Sequence, residues 1–182
     1  MRNKIIFIGG IHGVGKTSLC EELSNRTGAH YFSASKLIKR LNKDYCDNKN
    51  KAVKDVDGNQ ELLLTAINQY IDKNLTTLLD GHFCLLSSKY EVTRISKKTF
   101  YDISPIAIIV LYDSISSISS KIANRDGVKY DVNLLSSFQN EEINYSKNIA
   151  DRLKIPYLLF DVSHDKSEIV DFIANLINME IQ

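Results

Sequence analysis

Only three cysteines occur in the 182 residues, Cys20, Cys46 and Cys84, and no two of them form a CxxC pair. An odd, scattered set argues against a disulfide framework or a cysteine-built zinc site and fits reduced thiols. No charge of one sign dominates either: 23 basic residues stand against 22 acidic ones, a net charge of +1. Such a balance exerts no general pull on nucleic acid or an anionic membrane, and no aromatic-basic repeat offsets it. Any anion site therefore has to be local. Long apolar runs are missing as well. The first, residues 5–8, is shorter than the core of a secretory signal and far below the roughly 20 residues of a membrane helix, so the expected location is the cytoplasm. No repeat with a period of roughly 20–50 residues is present, and no segment is simple enough to be a linker.

What remains is an ordinary mixture, 43% hydrophobic and 25% charged. One domain is expected, because single cores hold about 100–200 residues. Ile5-Ile6-Phe7-Ile8, closed by Gly9-Gly10, reads as a buried strand. Residues 17–27 read as a helix, with Leu19 and Leu23 four apart and Gly28 as a stop. A strand at 29–32 and a helix at 33–41 follow. Residues 42–58, rich in Lys, Asp and Asn, are expected to be exposed. A helix at 60–74 and a strand at 76–80 lead into an irregular polar stretch. Pro105 then precedes a strand at 106–112, helices at 114–124 and 132–153, a strand at 156–161 and a last helix at 166–179. This alternation implies an α/β fold: a five-stranded parallel sheet, helices on both faces, right-handed crossovers.

Gly10-Ile11-His12-Gly13-Val14-Gly15-Lys16-Thr17 satisfies GxxxxGK(S/T) and lies between the first strand and the first helix, with Ser18 next. The glycines permit torsions and close approach that a Cβ forbids. Successive N–H groups, including those of His12, Gly13, Val14 and Gly15, converge on phosphate oxygens at the positive end of the helix. Lys16 supplies a mobile charge for the β- and γ-phosphates, and the Thr17 hydroxyl can ligate Mg²⁺. A chance match would not carry the strand before the loop and the helix after it. Mg-ATP is the expected ligand.

A second acid belongs at the end of a neighbouring strand. Asp80 closes Thr76-Thr77-Leu78-Leu79 and precedes Gly81; it is a candidate to hold Mg²⁺ directly or through water, against the plain reading of a strand-end acid. Asp113 and Asp161 also end strands and read as helix caps or turn residues.

With this loop near the start of a short chain, the sequence resembles the P-loop nucleoside monophosphate kinases: adenylate kinase and its relatives, the short archaeal type in particular. The resemblance implies a three-layer α/β/α P-loop domain with an acceptor-binding segment at 33–74 and a small lid at 122–132. Leu78-Leu79-Asp80-Gly81-His82-Phe83 is similar to the family's strand and Asp-Gly pair, and residues 31–40 to the segment leading into the acceptor site. Carried over on these motifs, Arg40 binds acceptor phosphate with Ser35 nearby, and Arg125 neutralises the migrating phosphoryl group beside Lys16 and Asp80. Arg94 and Gln60 are further acceptor candidates, as a phosphate clamp and a base contact. Each has a plain alternative as a solvated or turn-forming side chain. The family's Pro and Arg after Asp-Gly are replaced here by His82-Phe83-Cys84, and the lid is short in arginine. His82 is a candidate to bind the acceptor or accept a proton.

The activity these residues imply is in-line transfer of the γ-phosphoryl group of Mg-ATP to a small acceptor, by preference a nucleoside monophosphate. Two other classes stay open: a kinase acting on a hydroxyl of a metabolite or nucleic-acid end, with Asp80 or His82 as base, and an ATP-dependent switch or assembly factor acting on a protein partner.

Overall fold

The computed structural model describes residues 4–46, 56–87 and 90–179. Five strands form one parallel sheet: β1 (Ile5–Gly9), β2 (His30–Ser33), β3 (Thr77–Asp80), β6 (Ala107–Tyr112) and β7 (Tyr157–Asp161), in the order β2-β3-β1-β6-β7. Strand β1 is buried along its whole length, which is why it shows no apolar–polar alternation. It pairs with β3 on one side and β6 on the other. The chain therefore reverses direction across the sheet at β1, and this reversal opens a crevice at the carboxyl ends of the strands. Gly9, Ser33, Asp80, Tyr112 and Asp161 end the five strands on that edge.

Among the described residues, seven helices connect and flank the strands: α1 (Lys16–Thr27), α2 (Ala34–Cys46), α3 (Val56–Tyr70), α4 (Lys97–Ile103), α5 (Ile115–Asp126), α6 (Val132–Leu153) and α7 (Ser167–Met179). Helix α1 packs on β2 and β3 and against α7, whereas α6 packs on β6 and β7 and against α4 and α5. The start of α6 at Val132 follows from Asp131, whose carboxylate accepts the Leu134 N–H at 3.0 Å. An aromatic cluster ties the sheet to α4. Phe7 meets Phe83 edge-on at 5.0 Å, and Phe83 stacks on Phe100 at 4.7 Å between centroids.

All five expected strands are present, each within a residue of its expected start. Two features of the stretch expected to be irregular are ordered: an antiparallel pair, β4 (Cys84–Leu86) with β5 (Val92–Arg94), and helix α4 after it. Strands of three residues show no readable period, and α4 buries only Thr99, Phe100 and Ile103. Most of the segment expected to be exposed, residues 42–58, lies outside the described residues. Its two ends continue α2 and begin α3. Helix α3 stops at Tyr70, before the 60–74 span expected for it ends; Asp72 instead accepts the Asn74 N–H in a turn. Among the described residues, no helix is long and apolar enough to cross a membrane.

Candidate active site

The loop between β1 and α1 bends through three left-handed glycines: Gly10 at φ 139°, Gly13 at φ 82° and Gly15 at φ 105°. Two of them also have no room for a side chain. A Cβ on Gly10 would lie 2.7 Å from the Leu111 carbonyl oxygen, and one on Gly13 would lie 2.6 Å from Ile122 Cγ1. Val14 is buried beneath the loop. His12, Gly13, Gly15, Lys16, Thr17 and Ser18 line a cavity of about 570 Å³, and Asp80, Lys121 and Arg125 close it from other elements.

Lys16 folds back over its own loop, donating from Nζ to the Gly10 carbonyl at 2.5 Å and to that of Ile11 at 3.2 Å. Burial pulls its ammonium down to a pKa of about 8, against the opposing pull of Glu142 and Asp80. The Gly10 oxygen also takes His82 Nδ1 at 2.9 Å. A carbonyl only accepts, so Nδ1 carries the proton and Nε2 is left as the acceptor. His82 stands 3.4 Å from Lys16 Nζ, with its ring 4.3 Å from that of His12. Burial first, and then the Lys16 charge, hold His82 well below the usual histidine range, so it is neutral at pH 7. The same two causes lower His12.

Asp80 is 6% exposed and accepts the Tyr31 hydroxyl on Oδ2. Register accounts for this contact: Ser33 pairs with Asp80 across β2 and β3, and Tyr31 lies two residues before Ser33. Burial and the Asp80 carboxylate together raise the Tyr31 phenol, with the Thr17 hydroxyl opposing them. Thr17 and Asp80 thus stand close together in the same cavity wall. Their hard oxygen donors suit Mg²⁺, which binds through one or two protein oxygens together with phosphates and water. No group of three or more His, Cys, Asp or Glu side chains able to hold a metal by itself occurs among the described residues.

Glu142, on α6, has a part no sequence motif announced. Its carboxylate is 1% exposed and accepts the N–H groups of Gly10 at 2.9 Å, Phe83 at 3.0 Å and Cys84 at 2.6 Å. Burial pushes its pKa up while these donors pull it down, and burial prevails. One carboxylate thereby ties the phosphate loop to the segment after Asp80-Gly81. A signal was available: Leu135, Phe138, Tyr145 and Ile149 form the buried stripe of α6, and position 142 falls on that stripe.

A second cavity of about 180 Å³ adjoins the first, sharing Ser35, Asp80, His82 and Leu85. Gln60 lines it with Asn59 and Thr99, and the rest is largely apolar: Phe7, Ile38, Leu63 and Phe100 among others. The candidate residues thus divide. Lys16, Thr17, Asp80, His82, Ser35, Gln60 and Arg125 come together around the two cavities. Arg40 and Arg94 do not. Arg40 lies over the Tyr70 ring at 4.1 Å and lines a separate hollow with Glu21, Tyr31 and Lys36. Arg94 pairs with Glu141 and lies over Tyr145 at 4.9 Å. Arg125 sits in the last turn of α5, in a fork with Asp126 at 2.7 and 2.6 Å. Residues 127–131 are all that separate α5 from α6.

Asp113 and Asp161 hold turns. Asp113 accepts the Ser114 N–H at 2.7 Å and the Lys121 ammonium at 2.7 Å, and Asp161 accepts the Ser163 N–H at 2.9 Å. Cys20 and Cys84 are free and buried.

A buried strand, a glycine loop, a lysine and a helix N-terminus at the switch point of a parallel sheet define a P-loop nucleotide-binding domain. The model of the AAA domain family matches residues 9–137, and the chain belongs to that family. No curated protein matches the sequence significantly. Among solved structures, the chain is similar to a gluconokinase from Sinorhizobium meliloti 1021, with 19% identity, 98% of this chain and 95% of that chain covered, and a TM-score of 0.55. It is also similar to a sugar kinase from Janibacter sp. HTCC2649, with 13% identity, 97% and 95% covered, and a TM-score of 0.56. At these identities the likeness is one of fold: the five-stranded P-loop kinase architecture.

Proposed function

We propose that the chain is a phosphotransferase that moves the γ-phosphoryl group of Mg-ATP to a small acceptor. The observation that carries this reading is the meeting of two cavities at Asp80 and His82, one built for phosphates and one beside it. A switch that only binds nucleotide has no need of the second. The triphosphate lies along the loop amides, and Lys16 leaves the Gly10 and Ile11 carbonyls to meet the β- and γ-oxygens. Lys121 and Arg125, which line the phosphate cavity from α5, would leave Asp113 and Asp126 to neutralise charge on the migrating group. Thr17 and Asp80 would hold Mg²⁺, which screens the phosphate charges when bound. The donor's base and ribose fit a shallower hollow of about 180 Å³ on the far side of the loop, where Gly15, Ser18, Lys121 and Val162 meet.

Within this reading the single domain comprises a phosphate-loop core, an acceptor segment at 33–74 carrying Ser35 and Gln60, and a small lid at 122–132. A nucleoside monophosphate acceptor is the reading implied by the likeness to adenylate kinase. It needs cationic clamps, and Arg40 and Arg94 are engaged away from the cavity. Transfer to a hydroxyl is the second reading; two neighbours in fold are named as kinases of gluconate and of a sugar. A coupled assay of ADP release with and without acceptors tests the proposal. Release that depends on an acceptor supports it, and slow release indifferent to every acceptor overturns it in favour of an ATPase or switch.

A further inference from the structure

We propose that the acceptor is an uncharged molecule whose apolar or aromatic body fills the cavity beside the phosphate loop and whose hydroxyl is the nucleophile. The inference rests on the phosphotransferase reading and narrows it to one substrate class.

The cavity wall carries the case. Phe7, Leu63, Phe100 and Ile103 make it apolar; Ser35, Asn59, Gln60 and Thr99 interrupt it with neutral polar groups, and Asp80 and His82 stand in the wall it shares with the phosphate cavity. Among the described residues, no lysine or arginine lines it. The cations of this region stand on the other side of Asp80, where Lys16, Lys121 and Arg125 line the phosphate cavity. An anion taken into the apolar cavity would lose its hydration and find no opposite charge among the described lining residues to replace it. It would also approach Asp80, the carboxylate in the shared wall, and meet like-charge repulsion. A neutral body with an apolar or π face gains from the same wall, and the Ser, Asn, Gln and Thr side chains supply hydrogen bonds that orient it.

The chemistry closes on this geometry. The acceptor oxygen attacks the γ-phosphorus, and the new O–P bond forms as the bond from γ-phosphorus to the β–γ bridging oxygen breaks. ADP leaves with that electron pair, and the hydroxyl proton is released to solvent.

The test uses the whole chain, Mg-ATP and matched acceptor pairs: adenosine against AMP, thymidine against thymidine monophosphate, benzyl alcohol against 4-(hydroxymethyl)benzoate. Phosphorylated product is read by ³¹P NMR and mass spectrometry, and ATP binding is measured separately by calorimetry. The expected result is product from uncharged members with kcat/KM at least about tenfold above that of their charged partners, a ratio of ordinary size for a pocket that leaves a charge unpaired. Gln60→Arg, at a half-exposed helix position, should narrow that ratio by giving the anion a partner. Preference for the charged members overturns the inference and leaves the phosphotransferase reading standing. No product from any pair, with ATP still bound and consumed at the same rate without acceptor, overturns both.

Discussion

On one side of Asp80, Lys16, Lys121 and Arg125 border a hollow of about 570 Å³ whose floor is glycine backbone. On the other, Phe7, Leu63 and Phe100 wall one of about 180 Å³ whose polar groups, apart from Asp80 and His82 in the shared wall, are uncharged amides and hydroxyls. The first is written in a contiguous motif because its chemistry is supplied by main chain, and a main-chain nest demands particular residues in sequence. The second is assembled from β1, α2, α3, β3 and α4, so no short pattern encodes it. On the proposed function the contrast would also divide the labour of recognition: the polyanion by charge and amide dipoles, the acceptor by shape and a few hydrogen bonds.

The comparison can be broken most sharply at the lysine. Lys16→Ala is expected to lower turnover by about 10²–10³-fold or more, as loss of a single transition-state donor does. Steady-state kinetics with saturating acceptor measures it, and near-normal turnover would remove the phosphate side from the mechanism. Glu142 comes next, because it serves both sides. Glu142→Ala leaves three buried N–H groups unpaired and is expected to cost about 3–5 kcal/mol of stability in urea unfolding. A loss below about 1 kcal/mol, the scale of one ordinary hydrogen bond, would make it a peripheral contact.

The pH dependence sharpens the phosphate side further. Free Lys16 titrates at about 8, below its ordinary value, because burial disfavours the charged form. Phosphates favour that form, so nucleotide binding takes up a proton, and affinity falls as pH rises through about 8 toward the higher pKa of the complex. Folding stability has the opposite sign: it increases over the interval from about 8 to the unfolded value, where the unfolded chain binds more protons. Calorimetry in buffers of different ionisation enthalpy reports the uptake; a binding enthalpy independent of buffer would contradict it. The smallest effect is expected at Arg40 and Arg94. Alanine at either should change the acceptor KM by less than about twofold, the range of surface side chains away from a site. A tenfold rise on Arg40→Ala would restore the phosphate-bearing acceptor.

Much of the frame was legible beforehand. The apolar run 5–8 marked the central strand, the glycine spacing marked the loop, and the long helix from Val132 to Leu153 was read to its ends. Strand-end Asp80 was legible from its β-prone run. Its partner Tyr31 was not, because the pairing depends on the register of β2 against β3. Glu142 carries no local motif; only its place on the buried stripe of α6 sets it apart from the other acidic residues. Arg40 and Arg94 were legible as cations but not in their direction, which depends on Tyr70 in one case and on Glu141 and Tyr145 in the other. The β4–β5 pair and α4 are too short for a period to rise above their polar neighbours.

The three N–H groups that donate to Glu142 also link the two hollows mechanically. Gly10 opens the loop that borders the first, while Phe83 and Cys84 follow the wall of the second, and a single carboxylate joins them. If phosphate draws the loop amides inward, the strain is shared at once with the acceptor wall. Thermodynamic reciprocity then requires that whatever factor nucleotide imposes on acceptor affinity, acceptor imposes on nucleotide. Cooperativity between substrates would here need no moving lid, only a crossbeam one residue wide.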